Sequence, residues 1–115
     1  MADVSYKLVQ PEKVVKQGNA WGVVLPTGEI NLTVIAGQAP SIVKFDSGLV
    51  KILDEDGKVC ERYFVKAGIA SIVSDTCVIA SETVWNKAKL KFEDMVEQAK
   101  NDAFCEMIVE KWAAD

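Results

Sequence analysis

The chain contains no histidine and only one arginine, Arg62, among its 115 residues. Without histidine, the commonest general base, metal ligand and near-neutral proton switch are all missing. Cysteine is scarce as well. Cys60, Cys77 and Cys105 are odd in number and far apart, with no Cys-x-x-Cys pair. They are expected to be reduced packing thiols of a cytosolic protein, not a zinc site or a disulfide frame. There is no Gly-Lys-Ser phosphate cradle, and no window approaches the roughly 18 uninterrupted apolar residues of a membrane-spanning helix. The opening MADVSYKLVQ has no basic stretch ahead of an apolar run, so no signal peptide is expected.

The positive charge that is present is lysine, and the net charge is −4. An arginine-rich basic face is therefore lacking, which argues against nucleic acid as a partner. Asp54-Glu55-Asp56 lacks the twelve-residue ligand pattern of a calcium loop and reads as a solvated turn. Ser71, Ser74 and Asp75 have no neighbouring base to activate a nucleophile. No enzyme activity, metal or cofactor is expected from these residues.

What is abundant is apolar: 50% of the chain, enough for a packed core. A single domain of this length buries roughly 65% of its unfolded surface. All seven glycines and all three prolines fall within residues 1–81. Between them stand short runs: VSYKLV, NLTVIA, SIVKF, LVKIL, RYFVKA, IASIV and CVIAS. Short β-branched runs between turn signals indicate an all-β sandwich or barrel. Asp56-Gly57, between LVKIL and the run through RYFV, is a strong hairpin signal because glycine accepts the positive φ of a tight turn. Val50 and Ile52 should share one strand face, with Lys51 on the other.

After Ala80 the texture changes. From Ser81 to Asp115 there is neither glycine nor proline, and Lys, Glu, Ala, Met and Gln dominate. Ala88, Phe92, Met95/Val96, Ala99 and Ala103 recur at helical steps, followed by Phe104, Ile108 and Trp112. The spacing predicts one long helix or a short helical hairpin turning at Asn101-Asp102. The fold class expected is thus α+β, with an antiparallel β sandwich of about eight to ten strands over 1–84 and a helical segment over 85–115. Val50, Ile52, Phe64, Ile69, Ile72 and Ile79 are expected in the core.

One segment carries more than fold. It reads GEINLTVIAGQAPSIVKFDSGLVKIL, with Gly28-Glu29 followed by Gly37-Gln38-Ala39-Pro40, then Asp46-Ser47-Gly48 ahead of Leu49-Val50-Lys51-Ile52. Trp21 to Leu25 precede it, and Phe64-Val65-Lys66-Ala67-Gly68-Ile69 follow. In order and spacing this resembles the epsilon subunit of the F-type ATP synthase, called delta in mitochondria, over about the first 85 residues. Gln38 stands where that family usually has histidine and Ala36 where proline is common, and two extra residues separate Glu29 from Gly37.

The resemblance implies a non-catalytic rotor subunit of the central stalk, coupling proton flow to ATP synthesis. It implies the gamma subunit and the membrane c-ring as partners. The Gly-Glu and Gly-x-Ala-Pro loops would lie at the lower rim, giving Glu29, Gly37, Gln38, Ala39 and Pro40 as the c-ring contact. The place implied is the cytoplasmic face of a bacterial inner membrane, bound peripherally and without insertion, with a monomer when isolated. The tail lacks the Ile/Leu-Asp-x-x-Arg-Ala segment through which some members bind ATP. Weak or no inhibition of hydrolysis and no ATP binding below millimolar concentration are therefore expected. The residues alone also fit a free-standing β-sandwich binding module with a helical docking arm.

Overall fold

The computed structural model describes residues 3–27 and 31–112. Its strands are β1 (Val4–Gln10), β2 (Lys13–Ala20), β3 (Gly22–Leu25), β4 (Leu32–Ile35), β5 (Ser41–Phe45), β6 (Gly48–Leu53), β7 (Val59–Val65), β8 (Gly68–Val73), β9 (Thr76–Ser81) and β10 (Val84–Asn86). A short 3-10 turn over Lys87–Lys89 leads to α1 (Phe92–Gln98) and α2 (Ala103–Lys111). The strands form two five-stranded sheets, ordered β2-β1-β9-β8-β5 and β10-β7-β6-β3-β4. This is the α+β sandwich with a helical segment that the sequence predicts, and the helical segment takes the hairpin form.

Period-two alternation builds the core. In β1, Val4, Tyr6 and Leu8 turn inward while Ser5 and Lys7 are exposed. From the facing sheet come Val23, Leu25, Val50, Ile52, Tyr63 and Val65, all buried. The same alternation corrects one expectation. Ala70 and Ile72 are the buried residues of β8, so Ile69 faces outward and is 48% exposed, whereas Val50, Ile52, Phe64, Ile72 and Ile79 are buried. Most ladders are antiparallel, but β1 and β9 run parallel, pairing Ser5 with Thr76 through Val9 with Ala80.

The hairpin at Asp56-Gly57 forms as its sequence predicts. Gly57 takes φ +77, and the Asp54 carboxylate accepts from the amides of Asp56 and Lys58. At the opposite end of the sandwich, the Asp46 amide donates to the Pro26 carbonyl at 2.7 Å. A Cβ on Gly48 would stand 2.8 Å from Pro26, so this corner needs glycine.

The strand β6 is buried along its whole length because both its faces are covered. Val50 and Ile52 enter the sandwich core, while Leu49 and Phe64 (from β7) meet Met95, Phe104, Cys105 and Ile108 of the helices. Lys51 lies on the face away from Val50 and Ile52, the face on which Leu49 meets the helices, and it is only 9% exposed. Phe64 stacks on Trp112 with ring centroids 5.9 Å apart, and Trp85 meets the Phe104 ring edge-on at 5.1 Å. Asp102 caps α2 by accepting from the Phe104 amide, which places the turn at the predicted Asn101-Asp102.

Candidate functional site

The site residues singled out by sequence fall into two groups. Gly28 and Glu29 lie outside the described residues. Their flanks do not: Thr27 follows β3 and Asn31 precedes β4, at the end where Leu25 pairs with Leu32. Gly37, Gln38, Ala39 and Pro40 leave β4 at its other end, where Gly22 pairs with Ile35. Four strand residues, about 13 Å, separate the two positions. The structure therefore does not bring the flanks of Gly28-Glu29 to the same rim as the Gly37–Pro40 loop. That loop instead shares its end with the Asp56-Gly57 hairpin, because Gly22 also pairs with Leu53.

Gly37, Gln38, Ala39 and Pro40 are all exposed, and among the described residues three hydrogen bonds hold the loop. The Ile35 amide donates to Gln38 Oε1 at 2.9 Å, and Ser41 Oγ donates to the Ala39 carbonyl at 3.0 Å. The Gly37 amide donates to Asp75 Oδ1 at 2.7 Å. Gly37 has φ +86, a conformation glycine accepts without a Cβ penalty. Asp75 belongs to the two-residue turn between β8 and β9, where Ser74 and Asp75 have φ 50 and 62. Two successive positive φ values match the twist of a tight hairpin. Sequence reasoning weighed Asp75 only as a nucleophile's partner and missed this tie. The signal available was an aspartate, which tolerates the left-handed region, between two β-branched runs.

A second feature is the outer face of the first sheet. Ile42 is 78% exposed, Val73 52%, Val14 49% and Ile69 48%. Register places Ile69, Ala80, Val9 and Val14 in one row across β8, β9, β1 and β2. At one end of this row, Val9, Pro11, Ala67, Gly68, Ile69 and Ala80 line a shallow depression of about 520 Å³. The corresponding face of the second sheet is covered by the chain's own helices, whereas Ile42, Val73, Val14 and Ile69 keep about half or more of their surface in solvent.

Charge chemistry concentrates on Glu61. Its carboxylate accepts from Tyr63 at 2.7 Å and from Tyr6, on the other sheet, at 3.3 Å, with Lys16 at 3.9 Å. Burial first, then the Glu61 charge, push the Tyr6 hydroxyl up to about 12. Burial, then the hydrogen bond to Glu61, raise Tyr63 as well. The thiols move the same way. Burial pushes Cys77 up to about 11, whereas Cys60 is exposed, not packed as expected, and partial desolvation followed by the charges of Glu61 and Asp54 raises it. Burial and then the Asp102 charge raise Cys105. None of the three is an activated thiolate. Among the described residues, no group of three His, Cys, Asp or Glu is placed to hold a metal ion. No helix among them is long and apolar enough to cross a membrane.

Comparison with known families decides the membership. The family described as "ATP synthase, Delta/Epsilon chain, beta-sandwich domain" matches residues 3–87. The chain belongs to this family. Among its relatives in the family is the ATP synthase epsilon chain of Sinorhizobium fredii, 32% identical over 104 residues, which span 87% of this chain and 77% of the relative. The epsilon chain of Granulibacter bethesdensis is 33% identical over 82 residues, spanning 71% of this chain and 60% of the relative.

Solved structures agree in fold. One is a chain of the Euglena gracilis mitochondrial ATP synthase, in an assembly of OSCP, F1 and c-ring. It superposes with a TM-score of 0.71 at 19% identity, over 96% of this chain and 77% of that one. A chain of the Tetrahymena thermophila mitochondrial ATP synthase, from its central stalk and c-ring, gives 0.61 at 13% identity, over 93% and 94%. The family match covers the ten strands found among the described residues and ends where the 3-10 turn begins, so the helical hairpin lies beyond it.

Proposed function

We propose that this member of the epsilon family is a non-catalytic rotor subunit of the central stalk of an F-type ATP synthase. It would link the gamma subunit to the membrane c-ring and pass torque between them, so coupling proton flow to ATP synthesis. It would work from the cytoplasmic face of a bacterial inner membrane, held peripherally through its partners. The sandwich unit is assigned to residues 1–84 and the helical segment to 85–115, with β10 straddling the junction.

The observation that carries the reading is the exposed apolar strip of the first sheet. Contiguous apolar surface of this kind marks a binding face, and it lies opposite the face the helices already occupy. We assign it to gamma. Two packed sheets joined by short, hydrogen-bonded corners also form a body that transmits force with little yielding. The c-ring contact is assigned to Glu29, Gly37, Gln38, Ala39 and Pro40. Because β4 holds the flanks of Glu29 apart from Gly37, cysteines introduced at 29 and at 38 report separately which end meets the ring.

The test is purification of the tagged chain from native membranes, followed by identification of the subunits that accompany it. Gamma and the c-ring are expected. Ile42→Asp with Ile69→Asp should abolish gamma retention; Ile42 is 78% exposed and Ile69 48%, so the melting temperature should fall only modestly and the sandwich should stay folded. Recovery without any synthase subunit would overturn the reading.

A further inference from the structure

The three hydrogen bonds of the Gly37–Pro40 loop are not equivalent. Gln38 to Ile35 spans three residues and Ser41 to Ala39 spans two, so both move with the loop. The bond from the Gly37 amide to Asp75 Oδ1 spans 38 residues and ties the loop to a different hairpin. Asp75 is itself anchored, because its carbonyl accepts from the Ser5 amide of β1 at 2.8 Å. A continuous path therefore runs from β1 through the β8–β9 turn into the loop.

From this we infer that Asp75 is a positioning residue that fixes the Gly37–Pro40 loop in its partner-binding shape. The inference rests on the proposal that this loop meets the c-ring. Its physical basis is loop entropy. Glycine is the residue with the most backbone freedom to lose, and a Cβ on Gly37 would meet nothing within 4 Å. Packing thus does not hold Gly37, and a short bond from its amide to a carboxylate does. The bond is exposed, so when it is lost water satisfies the Gly37 amide and global stability changes little. What is lost is the loop's single conformation, and any partner that binds it must then supply the ordering.

Two variants separate the hydrogen bond from the turn. Asp75→Gly keeps the positive φ and removes the acceptor. Asp75→Asn keeps both a side-chain oxygen and tolerance of the left-handed region. Hydrogen exchange at the Gly37 amide, followed by NMR, should rise about tenfold in Asp75→Gly and stay near the parent rate in Asp75→Asn. The partner arm uses Ala39→Cys in a Cys60→Ser background, since Ala39 and Cys60 are exposed while Cys77 and Cys105 are buried. In the assembled synthase, cross-linking of the thiol introduced by Ala39→Cys to a cysteine in the c-subunit loop should fall with Asp75→Gly and recover with Asp75→Asn. Unchanged Gly37 exchange in Asp75→Gly, or an Asp75→Asn variant that behaves like Asp75→Gly, overturns the positioning role. Absence of any cross-link while Asp75 is intact sinks the ring assignment instead, and the exchange data distinguish the two failures.

Discussion

Replacing Ile108 by alanine should release the helical hairpin while the sandwich stays folded. The two helices are seven and nine residues long. Isolated helices shorter than about 12–15 residues are marginal in water, so these persist because they dock. Ile108 is fully buried in the cluster with Leu49, Phe64, Met95, Phe104 and Cys105. Truncating a buried isoleucine costs about 2–5 kcal/mol, which raises the undocked population about 30-fold to several thousand-fold. The sandwich core lies on the other face of β6 and loses no contact. Far-ultraviolet dichroism should therefore lose helical signal while the strand signal remains. Trp85 and Trp112, which pack at the edge of the cluster, should shift their emission to the red. Limited proteolysis should begin to cut between residues 90 and 112. Ile42→Ala, at a side chain 78% exposed, is the control and should change none of these. An Ile108→Ala protein with parental helix content and a protease-resistant tail would refute the claim that docking alone maintains the helices.

Two further outcomes follow from particular contacts. Tyr6 and Tyr63 are the only tyrosines, and both hydroxyls are raised in the folded state. Their stabilisation is fully present below the unfolded value near 10 and lost as pH rises through the folded value, about 12 for Tyr6. Phenolate absorbance should stay low near pH 10 and appear together with loss of structure; free titration of either ring at 10 in the folded protein would contradict the Glu61 cluster. At Gly68 an added Cβ would stand 2.1 Å from the Ala80 carbonyl and 2.9 Å from the Phe45 ring. Gly68→Ala should thus cost at least the upper part of the about 1–3 kcal/mol typical of overpacking, read from urea unfolding, and a loss under about 1 kcal/mol would mean that the β8–β9 ladder yields easily.

Several properties were legible in the residues alone because their causes are local. Alternation marked β1, turn chemistry marked the Asp56-Gly57 hairpin, and the disappearance of glycine and proline after residue 80 marked the change to helix. The order of the Gly-Glu, Gly-Gln-Ala-Pro and Ser-Gly signals pointed to the family that the comparison then showed. What remained illegible depends on which segments meet. The strand β2 is polar and mostly exposed, and it is a strand only because β1 pairs with it. Ile69 has the composition of a core residue, but the register of β8 against β9 turns it to solvent. Leu49 is covered because a hairpin some 40 residues later folds back over its sheet. The Asp75–Gly37 bond joins two turns that have no sequence relation to one another. Local propensity and periodicity determine which elements form; long-range pairing decides which faces are left exposed and which loops are tied together, and those are the features from which this protein's binding surfaces are built.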